Sequence, residues 1–193
     1  MKELREAILR DGVGIGNDIV KVDSFLNHRI DVALSTRMGL AFHEAFKDEK
    51  VDCILTVEAS GIAVAITAAQ AFGNIPVVFA KKGDHRNVGN DVYTAQVYSF
   101  THQKMNTVRV SRKYLEKGAN VLIIDDFLAN GEAIEGLRSI VEQAGCHLVG
   151  AGVCVEKGFQ PGGQKLRDEG VRVVSLAIVD AIEDGRIVLR DDA

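Results

Sequence analysis

The chain has 193 residues, 47% of them hydrophobic, and a formal net charge of −4. One domain is the default at that length, and the apolar content supports a full core. The acidic balance argues against nucleic acid as the main partner, since such domains usually carry a basic face, and no apolar run is long enough to span a membrane.

Glu3 to Arg10 reads as a short amphipathic helix, and the first residues carry no signal-peptide apolar core. Cys53, Cys146 and Cys154 are odd in number, lack metal spacing and sit in apolar surroundings, as buried thiols of a reducing compartment do. A cytoplasmic location is therefore expected. Asp11 to Asp18 reads as a loop, because its glycines follow no strand and have the wrong spacing for a dinucleotide fingerprint. Ile19 to Val22 reads as a short strand, and Asp23 to Arg29 is too irregular for a core helix. Ile30 to Lys47 has helical periodicity.

A strand–helix alternation follows. Cys53 to Val57 predicts a buried strand, Ile62 to Phe72 a small-residue helix, and Ile75 to Ala80 the next strand, ended by Lys81-Lys82-Gly83-Asp84. That rhythm predicts a parallel sheet with right-handed crossovers. Asp84 to Asn90 is a polar loop, and Val92 to Phe100 alternates like an exposed strand. Thr101 to Asn106 has turn character and Thr107 to Val110 completes a hairpin. Beside a ligand site such an insertion is either a lid or a plain solvated hairpin.

Val121 to Ile124 is a run of four apolar residues, suited to a strand buried on both faces. Asp125 and Asp126 follow where that strand would leave the core, then a short loop, Ala129 to Ala133, then a helical pattern. Free amides at a helix start can hold a phosphate, and paired carboxylates can accept from sugar hydroxyls or sit near a metal. No Walker Lys-Ser/Thr pair follows the glycine. Leu148 to Val155 is a further buried strand, Gln164 to Glu169 a short helix, Val171 to Ile178 the last main strand, and Ile182 to Val188 a closing hairpin.

In a parallel sheet the loops Glu58–Gly61, Lys81–Asp84, Asp125–Glu132 and Glu156–Phe159 share one edge and should line one cleft. The first offers backbone amides around Gly61, the second ammonium groups, the third sugar and phosphate recognition, and the fourth a donor, Lys157, beside the flat face of Phe159. The ligand this implies is a phosphorylated sugar with further anionic charge, next to a planar base.

Val121 to Ala133 resembles the phosphoribosyl-diphosphate signature of the type I phosphoribosyltransferases. Thr-Gly-Gly-Thr is usual in that family's loop; here Asn130-Gly131-Glu132-Ala133 stands, which resembles the bacterial xanthine branch. Further segments are similar across most of the chain, among them Lys21 to His28, Ser60 to Ala63, Val97 to Thr101 and Glu156 to Gly162. The resemblance implies an α/β fold with a central five-stranded parallel sheet flanked by helices, a flexible hairpin lid and a small hood, formed mainly by the N-terminal segment and the C-terminal part. It implies transfer of a phosphoribosyl group to xanthine in purine salvage, in a homodimer, with Mg²⁺ accompanying the phosphoribosyl diphosphate and no protein ligand to the metal assigned. Asp125 and Asp126 would be catalytic, holding the ribose hydroxyls. Ala129, Asn130, Gly131, Glu132 and Ala133 would bind the 5′-phosphate, with Glu132 pointing away from it. Ser60, Gly61 and Lys81 would meet the diphosphate, and Val20, Asn27, Lys157 and Phe159 the purine. Hypoxanthine or guanine as the base, and a regulator that senses phosphoribosyl diphosphate, are the competing readings.

Overall fold

The computed structural model describes residues 1–83, 91–99 and 104–191. The loop expected over 84–90 and part of the turn expected over 101–106 lie outside the described residues.

The chain opens with α1 (Lys2–Asp11) and a hairpin of β1 (Val13–Ile15) and β2 (Ile19–Lys21). The segment expected to be loop therefore contains a strand. Gly14 serves close packing: its amide donates to the Gly185 carbonyl at 3.0 Å, and a Cβ there would stand 2.3 Å from Ile182 Cγ2. Asp23–Asn27 forms a short π-helix whose Phe25 and Leu26 enter the core, so this segment is less peripheral than its irregular pattern suggested. Next, α2 (Val32–Ala45) starts after Asp31, whose carboxylate accepts from the Leu34 amide at 2.9 Å and so caps the helix.

The remaining elements are β3 (Cys53–Val57), α3 (Gly61–Ala71), β4 (Val77–Lys82), β5 (Val92–Ser99), β6 (Lys104–Ser111), β7 (Asn120–Leu128), α4 (Glu132–Gln143), β8 (His147–Lys157), α5 (Gly162–Asp168), β9 (Val173–Glu183) and β10 (Arg186–Leu189). One eight-stranded sheet has the order β10-β9-β8-β7-β3-β4-β6-β5. Pairing is parallel from β9 through β8, β7 and β3 to β4, which gives the expected five-stranded core. The flanking pairs β4–β6, β6–β5 and β9–β10 are antiparallel, so the sheet as a whole is mixed.

Val121 to Ile124 is fully buried because β7 lies mid-sheet with a helical layer on each face. Leu122 and Ile124 belong to one apolar cluster with Phe42, Met38 and Ala65 from α2 and α3. Val121 and Ile123 belong to another with Leu137 and Ile140 from α4 and Leu166 from α5. No helix among the described residues is long and apolar enough to cross a membrane.

Candidate active site

Four parallel strands, β4, β3, β7 and β8, deliver their C-terminal ends to one sheet edge, where ligands of open α/β sheets bind. A cleft of about 610 Å³ opens there, lined by Ser60, Lys82, Asp125, Asp126 and residues 129–133. Val97 and Tyr98 of β5 and Asn106 and Val108 of β6 form another part of the wall. The hairpin is seated on α4: Gly136 lies so close to it that a Cβ would stand 2.4 Å from Val97 Cγ2.

The two carboxylates do not follow the strand, as the sequence suggested, but lie within β7, which runs on to Leu128. Both are buried. Asp126 accepts from Ser60 Oγ at 3.0 Å on one oxygen and from Asn27 Nδ2 at 3.0 Å on the other. Asp125 Oδ1 accepts from the Asp126 amide at 2.9 Å. Burial, and then the charge of Asp126, push the Asp125 carboxyl well above the usual carboxylate range. Gly61 has no room for a side chain: a Cβ would stand 2.7 Å from Asp125 Oδ1 and 2.3 Å from Thr56 Oγ1. That buried Thr56 hydroxyl has no hydrogen-bond partner among the described residues.

The loop after β7 turns at Gly131, whose φ of 92° is a left-handed conformation that favours glycine. Helix α4 begins at Glu132, so its first amides, which have no partner within the helix, face the loop. Glu132 is half-buried and borders the cleft. Behind the loop, the Gly162 amide donates to the Ala129 carbonyl at 3.1 Å.

Val20, Asn27, Lys157 and Phe159 are not among the cleft-lining residues. Asn27 is joined to the acidic pair through Asp126. Lys157, the last residue of β8, donates from Nζ to the Asp18 carbonyl at 2.6 Å. Burial lowers the pKa of its ammonium, opposed by the charge of Asp18. Phe159 is half-buried against the core, and Val20 is buried in β2.

Lys81 is not among the lining residues; its ammonium stands 5.9 Å from the Phe79 ring centroid, and Lys82 borders the cleft instead. The sequence predicts a strand that ends at Ala80. The strand runs through Lys82, so the two lysines point to opposite faces. The Lys82 amide donates to Glu58 Oε1 at 2.7 Å, and the peptide between Glu58 and Ala59 is cis. The sequence offers both Lys81 and Lys82 to the cleft, and strand parity carried past Ala80 separates them; it does not single out Thr56, Tyr98 or Asn106, and nothing in it marks Thr56.

The "phosphoribosyl transferase domain" family model matches residues 21–185. The xanthine phosphoribosyltransferase of Clostridioides difficile is 55% identical over 190 residues, covering 98% of this chain and 100% of that one. That of Ruminiclostridium cellulolyticum is 55% identical over 187 residues, covering 97% and 98%. Among solved structures, adenine phosphoribosyltransferase from Rhodothermus marinus superposes with a TM-score of 0.72 at 19% identity, over 92% of this chain and 99% of that one. The Saccharomyces cerevisiae adenine phosphoribosyltransferase gives 0.71 at 22%, over 91% and 99%. At such identities these two speak for the fold alone.

Proposed function

The chain belongs to the phosphoribosyltransferase family, and on that premise we propose that it transfers the 5-phosphoribosyl group of phosphoribosyl diphosphate to xanthine. The products are xanthosine 5′-monophosphate and diphosphate. The observation that carries this reading is the meeting of Asn27 with Asp126 at 3.0 Å. It sets an amide able to read a purine edge beside a carboxylate suited to a sugar hydroxyl. The names of relatives 55% identical over nearly the whole chain supply the purine.

A purine ring nitrogen displaces diphosphate at the anomeric carbon, with bond breaking ahead of bond making, so positive charge builds on the sugar. The protein's part is to hold the reactants in line and to favour that charge distribution. Asp125 and Asp126 hold the ribose hydroxyls and stand near the developing cation. To do so, Asp126 exchanges its bonds from Ser60 and Asn27 for ligand hydroxyls. Amides of residues 129–133 hold the 5′-phosphate at the α4 N-terminus. Ser60, Gly61 and the lysines of β4 meet the diphosphate, with Lys82 the one that borders the cleft. Lys157 donates to a purine oxygen, Phe159 stacks on the ring, and Val20 packs beside it. The N-terminal hairpin and the β9–β10 end act as a hood over the base.

Among the described residues no group of three or more His, Cys, Asp or Glu side chains could hold a metal, so Asp125 and Asp126 would at most complete a coordination sphere supplied by substrate oxygens. Mg²⁺ belongs to this reading as part of the phosphoribosyl-diphosphate substrate. A homodimer, the commonest closed assembly, and a cytoplasmic place in purine salvage complete it.

Initial rates with xanthine, guanine and hypoxanthine at fixed phosphoribosyl diphosphate test the assignment. The highest kcat/KM should fall to xanthine. Equal turnover of guanine would sink the specificity, and DNA binding at physiological salt would revive a sensing role.

A further inference from the structure

Glu156 stands next to Lys157 on β8 and takes no part in the chemistry above. The residue is 3% exposed. It accepts from both terminal nitrogens of Arg167, at 2.8 and 2.6 Å, and from the Ser175 hydroxyl. Burial pushes its carboxyl up, but the bonds from Arg167 and Ser175 outweigh burial and hold it below the usual range. A buried ion pair is seldom a net source of stability, since desolvating two charges offsets most of their attraction. Its value here lies in geometry.

Arg167 comes from α5, and the other end of that helix abuts the phosphate loop. Gly162 is so close to the loop that a Cβ would stand 2.4 Å from both the Ala129 carbonyl oxygen and the Gly131 amide nitrogen. At Gly163 a Cβ would stand 2.0 Å from Glu156 Oε1. On the outer side, Lys165 pairs with Glu135 at 3.5 Å and Arg138 with Glu169 at 2.6 Å, fixing the α5 region to α4. The helix thus spans from the phosphate loop to the tip of β8.

We propose that Arg167 and Glu156 are positioning residues that hold the tip of β8, and with it Lys157 and Phe159, at a fixed distance from the phosphate loop. The proposal rests on the reading that Lys157 and Phe159 meet the purine while the loop holds the 5′-phosphate. A nucleotide spans a set length from phosphate to base edge, so the separation of the two anchors decides whether the ring nitrogen meets the anomeric carbon in line.

The test is steady-state kinetics with whichever of xanthine, guanine and hypoxanthine the wild type turns over fastest. Arg167→Met alone would strand a buried charge, so it is combined with Glu156→Gln, which leaves a neutral pair. The double variant should raise the purine KM about tenfold while the phosphoribosyl-diphosphate KM moves less than about twofold. Arg167→Lys, which keeps the charge but not the two-pronged grip, should fall between. In a Lys157→Ala, Phe159→Ala background the double variant should add almost nothing to the purine KM, because its effect acts through those two residues. Additive effects, or equal rises in both KM values, would overturn the proposal and leave the pair a fold element only. Should the double variant fail to fold, Ser175→Ala removes a single donor to Glu156 and is read by the same two criteria. A wild type that prefers guanine would refute the xanthine assignment and leave this test intact.

Discussion

Replacing Asp125 by Asn should make the protein more stable at neutral pH while impairing it as an enzyme. Asp125 is 4% exposed, receives the Asp126 amide and lies beside the Asp126 carboxylate. Asn keeps an oxygen for that amide and removes the buried charge. The Oδ1 atom that receives the amide is also the one beside Thr56 Oγ1 above Gly61, so the new NH₂ group takes the Oδ2 position. A buried polar group short of partners costs about 1–3 kcal/mol and a charged one more, so exchanging the charge for a neutral amide should gain about 1–2 kcal/mol, or about 2–8 °C in melting temperature for a chain of this size. The sign follows from proton uptake. The folded pKa of Asp125 lies above its ordinary value of 3.8, so in the interval between the two the folded chain binds more protons than the unfolded one. Wild-type stability therefore falls as pH rises through that interval, and the variant's does not. Thermal unfolding without phosphoribosyl diphosphate and with chelator, at about pH 5 and about pH 8, should show the gap widening at the higher pH. A variant that melts no higher than wild type at the higher pH, or by the same margin at both, would refute the account of Asp125 as a buried, repelled carboxylate.

Asp126→Asn should lower kcat by at least about 100-fold with unchanged circular dichroism, because it removes charge aimed at the developing sugar cation; near-normal turnover would remove that role. Gly162→Ala puts a methyl 2.4 Å from two backbone atoms of or beside the phosphate loop. It should raise the phosphoribosyl-diphosphate KM about tenfold, and an unchanged KM would show that the loop does not depend on this backing. Ile124→Ala, at a fully buried position between β7 and α2–α3, should cost about 2–5 kcal/mol by denaturant unfolding. A loss well under that range would mean that the site collapses around the missing atoms.

The sequence made the parallel core legible because strands buried on both faces carry unbroken apolar runs, and Val121 to Ile124 is one such run. The acidic pair and the glycine loop were legible because their residue types serve few other purposes at a strand end. Strand ends were less so. Asp125 and Asp126 look like the close of a strand but are held inside it by pairing with β8. Lys81 and Lys82 likewise lie on β4 because β6 pairs with them. Charged residues read as loop unless the partner strand is known. The strand Val13–Ile15 was hidden because Gly12 before it and Gly14 within it answer to Ile187 and Ile182, about 170 residues on, and local pattern reading sees no such contact. For the same reason nothing near Glu156 in the sequence announced Arg167 and Ser175 as its partners.

The back-to-back approach of Gly131 and Gly162 bears on how this loop could be re-engineered. A Cβ at Gly131 would come within 3.3 Å of Gly162 Cα, and one at Gly162 would strike the loop's own backbone. Loop and helix are therefore a single exchangeable module although about thirty residues separate them in the chain. Grafting in a hydroxyl-bearing loop of the Thr-Gly-Gly-Thr kind keeps glycine at 131 and so preserves this approach, whereas a laboratory library that randomises position 131 has to vary the segment around Gly162 with it.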